Sequence, residues 1–370
     1  MTQTAWDRQP GIWRAIPWAL AAPHAGGVSR QRLALRALWA TLAYPQVMRR
    51  WMAMVFELHS RGLTPDLPAQ YLRAIRPSVH RRTSISTRAS QLIDHADWLE
   101  GALQPAAFAQ IGAGGVLILA GLAPPRGYET MRLQLQRAAH HSPEGELLLT
   151  LTLQRSVQKR PNALPVDAAV LAFSRFRIDG VACMAIGGVR GQRNQEGRIS
   201  ARELGQVLQG WRPPVLMVRV AQELARYWGL RLVGLHPTAH QLQGWSYRLS
   251  ERHREAAVRI YESQGALWDH FDAVPGTQGW MVLPAESDTK LEATALSPDK
   301  RDRQIRRADY WLRTRGLLRH QFRQLLRHPA RDQRVGSATA SVDWDDSSDF
   351  RSSEDMVPSR VLETGPGSLL

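Results

Sequence analysis

Cysteine is nearly absent from this sequence. Cys183 is the only one among 370 residues, so the chain can form neither an intramolecular disulfide nor a metal cluster held by several thiolates. Cys183 lies within the apolar run Val181–Ile186, which predicts a buried thiol that behaves as a small hydrophobic residue. A reducing compartment fits this cysteine usage.

Long apolar runs are also missing. The longest, Ile111–Pro125, is interrupted by glycines and is too short to cross a bilayer. The first residues include Asp7, Arg8 and Arg14 and lack the continuous apolar core of a signal peptide. We therefore expect a cytoplasmic protein without a transmembrane segment, bound at most peripherally to the inner membrane.

Acidic residues are scarce except at the C-terminal end. The formal net charge is +15, and the basic residues are three lysines and 45 arginines, a bias typical of a GC-rich bacterial genome. Residues 335–370 carry a net charge of −5, which leaves +20 on the rest. Such a body attracts anionic lipid, lipopolysaccharide, nucleic acid or its own acidic tail. The alternative is an ordinary solvated surface in a basic proteome.

Hydrophobic periodicity divides the chain into four parts. We expect an irregular segment over residues 1–29, a helical region over 30–110, a mixed domain over 111–327 and a disordered acidic tail over 328–370. Pro45 separates two helices between Arg30 and Ser60. The first helix has an apolar stripe that we expect to pack on the core, with a membrane surface as the alternative; it consists of Leu33, Leu35, Leu38, Trp39 and Leu42.

The mixed domain begins with five predicted strands. Asp179-Gly180 between the last two indicates a tight hairpin, so an antiparallel meander is expected. Helices and short strands then alternate to Leu326. The predicted class is α/β in the α+β sense, with an antiparallel-to-mixed central sheet flanked by helices. The strands are expected at Val116–Ala120, Glu129–Leu135, Leu147–Leu153, Ala168–Arg177, Val181–Val189, Leu230–Leu235 and Trp280–Leu283.

Several local strings stand out in their order and spacing. They are Gln70–Leu72, Arg88–His95, Ala168–Arg177, Ile186–Gly191, Gly210–Pro213, Val233–Leu235 with His240, Tyr261–Phe271, Leu283-Pro284, Lys300-Arg301 and Arg306-Arg307. Together they resemble the VirK/YbjX family of bacterial proteins over about residues 30–325. The resemblance implies a role in bacterial surface properties: virulence, placement of an outer-membrane protein and resistance to antimicrobial peptides. Relatives commonly have Leu-Gln-Gly where Val189-Arg190-Gly191 stands here, and the acidic tail is additional.

The element order is also that of the GNAT acyltransferases. In those enzymes the loop after the fourth strand offers backbone N–H groups to the pyrophosphate of acyl-CoA, or to aminoacyl-tRNA in related enzymes. The glycine spacing of that loop is absent here, so a polar loop without a ligand is the alternative. The cofactor-binding candidates are Arg190, Gly191, Gln192, Arg193, Gly197 and Ser200.

Two histidines follow the predicted strand Leu230–Leu235. His240 is the preferred general base and His236 the second candidate, because ligands bind at strand ends and imidazole titrates near neutral pH. Structural, hydrogen-bonded histidines are the alternative. We expect no metal, since Pro237 argues against the helix on which His-x3-His would chelate, and no carboxylate pattern completes a site.

The last helix, Asp299–Leu326, is strongly basic. We expect it to grip phosphates of a lipid or tRNA, or to bind the acidic tail, whereas no motif for sequence-specific DNA binding accompanies it. The anion-binding candidates are Arg212, Lys300, Arg301, Arg306 and Arg307.

Two functions remain open on the sequence. The first is an acyl- or aminoacyl-transferase-like enzyme that acts on an envelope lipid or precursor at the cytoplasmic membrane face. The second is a non-enzymatic peripheral factor that binds anionic lipid or an envelope partner through its basic helices. The sequence does not decide whether the chain is an enzyme.

Overall fold

A computed structural model describes most of the chain. The described residues are 11–22, 29–64, 66–76, 79–138, 144–155, 165–192, 199–244, 251–285 and 298–327. All of them belong to one compact unit, Met1–Ala330, and the second unit, Arg331–Leu370, lies outside the described residues. The predicted disordered tail therefore stays a prediction.

An eight-stranded, mostly antiparallel sheet runs through this unit. The strand order is β1-β2-β3-β4-β5-β6-β8-β7, and only β5 and β6 pair in parallel. The sheet with its flanking helices confirms the predicted fold class. The strands are β1 (Val116–Leu122), β2 (Tyr128–Arg137), β3 (Leu147–Arg155), β4 (Val166–Ile178), β5 (Val181–Gly191), β6 (Arg231–Leu235), β7 (Val274–Pro275) and β8 (Trp280–Val282).

Ten helices occur in the described part of the chain. A main core joins the sheet to α5, α6, α8, α9 and α10, and a separate core holds α1 to α5 together. They are α1 (Ala15–Ala21), α2 (Arg30–Ala43), α3 (Pro45–Ser60), α4 (Leu67–Leu72), α5 (Ile85–Ala102), α6 (Pro105–Gly112), α7 (Ala201–Val207), α8 (Pro213–Tyr227), α9 (Glu251–His270) and α10 (Pro298–Leu325).

The hairpin between β4 and β5 forms as the sequence predicts. Asp179 and Gly180 both have positive φ, 49° and 75°, which suits the Asp-Gly pair because these residues tolerate left-handed backbone. Along β5 the side chains alternate between two faces. Met184 and Ile186 join the main core, and Cys183 and Ala185 join a smaller apolar cluster. Cys183 is buried, as expected, and burial raises the pKa of its thiol.

The parallel pair separates early. β5 and β6 pair over four residues, from Cys183 opposite Arg231 to Ile186 opposite Gly234. β6 ends at Leu235, whereas β5 continues to Gly191. The C-terminal part of β5 therefore extends beyond its parallel partner.

Two expectations for the N-terminal region are wrong. Residues 1–29 were expected to be irregular, but α1 forms there and buries Ala15 and Ala19. The apolar stripe of α2 does not pack on the core as a whole, because Leu33 is buried while Leu35, Leu38, Trp39 and Leu42 are exposed. Small residues take the inward positions, which lets α1 and α2 approach closely.

Candidate functional site

Two concave sites lie on the sheet's flanks. The smaller, of about 350 Å³, lies where β5 ends and α8 begins, and we name it the α8 groove. The larger, of about 650 Å³, lies between the start of α5, the end of β4 and the turn before β8, and we name it the basic cleft. The sequence predicted individual residues of the α8 groove but neither site as a whole.

The α8 groove unites three of the predicted binding residues. Gly191, Gln192 and Arg212 line it together with Trp211. The Gln192 amide, in the orientation that satisfies both its groups, donates to Ile199 O at 3.1 Å and accepts from Ile199 N at 3.0 Å. This pairing joins Gln192, just after β5, to Ile199, just before α7, and so fixes one wall of the groove.

Other predicted loop residues have different positions. Ser200 caps α7 by accepting a hydrogen bond from Glu203 N at 3.1 Å and does not line the groove. Arg190 forms an ion pair with Glu144 at 3.3 Å and does not line it either. Arg193 and Gly197 lie outside the described residues.

The start of α8 is a poor source of N–H donors. Pro213 and Pro214 occupy its first two positions and carry no backbone N–H. An anion in the groove would therefore depend on guanidinium groups more than on helix amides. Arg212 is exposed beside these prolines and is the groove's own cation.

Further arginines surround Arg212. Arg219, nearly two turns into α8, is 8% exposed, and its guanidinium lies 6.0 Å from the Trp211 ring centre and 5.5 Å from that of Phe271. Burial lowers the pKa of His270, and the charges of Arg219, Arg212 and, more weakly, Arg307 lower it further. No acidic side chain is among the described residues that line the groove. The local potential is therefore positive.

The predicted anion-binding residues of α10 divide into two kinds. Arg307 Nη2 donates to Gly210 O at 2.6 Å, and Trp211 Nε1 donates to Arg307 O at 3.0 Å, so Arg307 supports the groove wall from behind. Burial, followed by the charges of Arg303 and Arg212, lowers its pKa. Lys300, Arg301 and Arg306 are exposed on the same helix.

The two predicted catalytic histidines cap short turns after β6. His240 is 1% exposed, its Nδ1 accepts from Leu242 N at 3.2 Å, and burial lowers its pKa to about 4. Its Nε2 has no hydrogen-bond partner among the described atoms. His236 Nδ1 accepts from Thr238 N at 3.3 Å. Neither histidine lines the groove or the cleft.

The basic cleft has an apolar floor and a basic rim. Val79, Leu92, Phe176 and Trp280 contribute apolar surface, and the polar lining includes Glu146, Ser174 and Asp179. Its arginines were not predicted as site residues, because they come from distant stretches that only the fold brings together. They are Arg81, Arg82, Arg88 and Arg177.

The arginines of the cleft differ in how they are held. Arg88 is buried and donates to Ala74 O and Thr83 O, both at 2.9 Å. Arg177 lies 3.9 Å from Asp94. Arg81 and Arg82 are exposed, and their guanidinium groups form no ion pair with any residue that the structure describes. These two cations are available to an anionic ligand.

His80 fixes one wall of the cleft. Its Nε2 donates to Gln278 O at 2.8 Å and its Nδ1 accepts from Arg82 N at 3.1 Å, which defines a neutral ring. Burial is the main cause that lowers its pKa. The backbone of His80 also forms an isolated bridge with that of His240, so the buried His240 helps to hold this wall in place.

Neither a cluster of metal-binding side chains nor a membrane-spanning helix occurs among the described residues. The described ranges contain no group of three or more His, Cys, Asp or Glu side chains that could hold a metal ion. Among the helices that the structure describes, none combines the length and apolar character needed to cross a bilayer.

Comparison with known proteins identifies a family. A family model described as "Protein of unknown function (DUF535)" matches residues 27–312, which covers α2 to α9 and all eight strands. No curated protein matches the chain. No solved structure matches it either.

Proposed function

The chain belongs to the DUF535 family, and we propose that it serves the bacterial envelope as an acyl- or aminoacyl-transferase-like enzyme that holds its donor's phosphates in the α8 groove. The envelope role comes from the VirK/YbjX resemblance over about residues 30–325, most of which the family match covers. The proposed reaction class rests on the topology of the sheet and on the position and charge of the α8 groove.

The separation of β5 from β6 is the observation that carries this proposal. The described sheet has a meander, one parallel pair and a final antiparallel strand pair, and this order supports the proposal of a GNAT-like topology. Ligands of open sheets bind beyond the carboxyl ends of parallel strands. The α8 groove lies at this end of β5, with Gly191 and Gln192 in its wall.

The charges of the groove favour a phosphate-bearing donor. Arg212 is exposed at its edge, and Arg219 and Arg307 add positive charge nearby. Acyl-CoA and aminoacyl-tRNA both present phosphates and suit this potential. The prolines at the start of α8 make Arg212 more important than helix amides.

His240 stays a prediction as general base. Burial holds its pKa at about 4, so the ring is neutral at neutral pH but is a weak base, because a general base works best with a pKa near the operating pH. Because the ring is buried, it would reach a substrate only if the turns on either side of it, Pro237–Ala239 and Gln241–Gln243, moved.

Donor binding gives the direct test. Purified protein is melted with acyl-CoAs and with aminoacyl-tRNA, and a saturable rise in melting temperature is expected with one of them. Arg212→Ala should weaken the affinity for that donor about tenfold or more, because it removes one charge-assisted contact. Arg231→Ala, at the exposed start of β6 far from the groove, is the matched control. No stabilisation by any donor, or equal affinity in Arg212→Ala, contradicts the proposal.

A second candidate is a non-enzymatic factor that binds an anionic partner through α10. The observation that favours it is the solvent exposure of Lys300, Arg301 and Arg306 along one helix. It predicts a salt-sensitive interaction that Arg301→Gln with Arg306→Gln weakens and Arg212→Ala leaves unchanged. Donor-specific stabilisation would argue against it.

A further inference from the structure

The outward face of α2 is apolar. Leu35, Leu38, Trp39 and Leu42 are 66%, 36%, 60% and 60% exposed. Their spacing of three, four and seven residues places them on one side of the helix. The opposite side buries Leu33, Ala37, Ala40 and Thr41. The larger apolar side chains thus face away from the core, which is the reverse of an ordinary surface helix.

The stretch of sequence that contains this face carries charge of one sign. Residues 8–56 contain no aspartate or glutamate. Arg32 lies one turn before Leu35 and is exposed, as are Arg49 and Arg50 on α3. The seven arginines of this stretch are Arg8, Arg14, Arg30, Arg32, Arg36, Arg49 and Arg50.

We infer that the outward face of α2 docks on an anionic lipid bilayer, with its axis parallel to the surface. The leucines would enter the boundary of the acyl chains, Trp39 would lie at headgroup level and the arginines would meet lipid phosphates. With 14 residues α2 is too short to span a bilayer but long enough to lie on one. This surface is separate from the α8 groove, and the inference does not depend on the transfer reaction.

Charge favours a lipid surface over a second copy of the chain. A symmetric dimer through α2 would bring two acid-free, arginine-rich segments face to face. Like charges across an interface oppose association, whereas anionic headgroups neutralise them. The anionic bilayer is therefore the occupant that satisfies both the apolar stripe and its arginines.

Vesicle co-sedimentation of the full chain tests the inference. The probe is vesicles of phosphatidylcholine with about one third phosphatidylglycerol, compared with phosphatidylcholine alone. We expect binding to the anionic vesicles, weakened by salt and reduced about tenfold or more by Trp39→Gln with Leu42→Gln. The matched control is Ile305→Gln with Leu312→Gln, which removes two apolar side chains of similar exposure, 52% and 62%, from α10.

A labelled variant locates the contact. Leu38→Cys can carry a polarity-sensitive dye, because the native Cys183 is buried and will not compete. Its emission should shift to the blue with anionic vesicles, and that of Leu317→Cys on α10 should not. The inference is overturned if anionic vesicles do not bind, if both double variants bind like the wild type, or if Trp39→Gln with Leu42→Gln converts a dimer to a monomer without affecting vesicle binding.

Discussion

Glu146→Ala should destabilise the protein far more than the loss of a surface charge does. Glu146 lies at the edge of the basic cleft just before β3, and Arg73 follows α4. Arg73 Nη2 lies 2.6 Å from Glu146 Oε1, and the two side chains are 7% and 12% exposed. Arg73 Nε also donates to the same oxygen at 3.1 Å. This pair ties the helical layer to the sheet beneath the cleft.

The magnitude follows from burial. Removing Glu146 leaves a buried guanidinium without its counter-charge, which costs about 3–5 kcal/mol in the free energy of unfolding. Arg313 and Asp309 on α10 lie at the same 2.6 Å, but their side chains are 79% and 57% exposed. Asp309→Ala should therefore cost only about 0.3–0.5 kcal/mol.

Urea unfolding followed by circular dichroism measures both variants. We expect a large fall in the midpoint for Glu146→Ala and almost none for Asp309→Ala. The double variant Arg73→Met with Glu146→Leu should recover much of the loss, because it removes both charges and restores apolar contact. Equal midpoints for the two single variants, or a double variant less stable than Glu146→Ala, would refute the reasoning.

Two further predictions concern close packing and pH. Gly234→Ala would place a Cβ 2.6 Å from the Trp268 ring and should lower the free energy of unfolding by about 1–3 kcal/mol. Gly101→Ala on α5 is the control, because its Cβ meets nothing within 4 Å and should not destabilise the helix. Thermal unfolding of the two variants measures the difference. Burial lowers the pKa of His95 to about 3 and of His240 to about 4, below the unfolded value near 6.5, so protonation favours the unfolded chain. Stability should be complete above about pH 6.5 and fall toward pH 4, by at most about 1.4 kcal/mol per pH unit for each histidine. His95→Gln should flatten this part of a urea-midpoint profile, and an unchanged profile would contradict the assignment.

Local signals in the sequence account for most of the sheet. The apolar alternation of β2 and β3 and the Asp179-Gly180 turn predict the meander, since these patterns depend on near neighbours. α1 escaped prediction because its buried residues, Ala15 and Ala19, are small and give a weak apolar period. The basic cleft escaped it because Arg82 and Arg177 are 95 positions apart and only the fold places them on one rim.

The α2 stripe shows where periodicity misleads. Amphipathic spacing identifies two faces of a helix but not which face meets the core. Here the small, fully buried side chains of Ala37 and Ala40 let α1 approach α2 closely, and the exposed leucines lie on the opposite side of α2. The alanines of α2, together with the small residues of α1, were the signal in the sequence for the buried face. Alanines give a weaker hydrophobic periodicity than four large apolar residues do.

The Gly187-Gly188 pair has a structural reason that bears on the donor site. A Cβ at Gly187 would lie 2.0 Å from Glu144 O, and one at Gly188 would lie 2.8 Å from the Glu144 carboxyl group. The glycines thus allow the segment before β3 to cross β5, and the same carboxylate holds Arg190 at 3.3 Å. Part of the string Ile186–Gly191, on which the family resemblance rests, therefore serves packing. Of the described loop residues, only Gly191 and Gln192 line the groove where a donor would bind, and neither carries a charge. We therefore expect the charge of Arg212 to decide whether the groove binds phosphate.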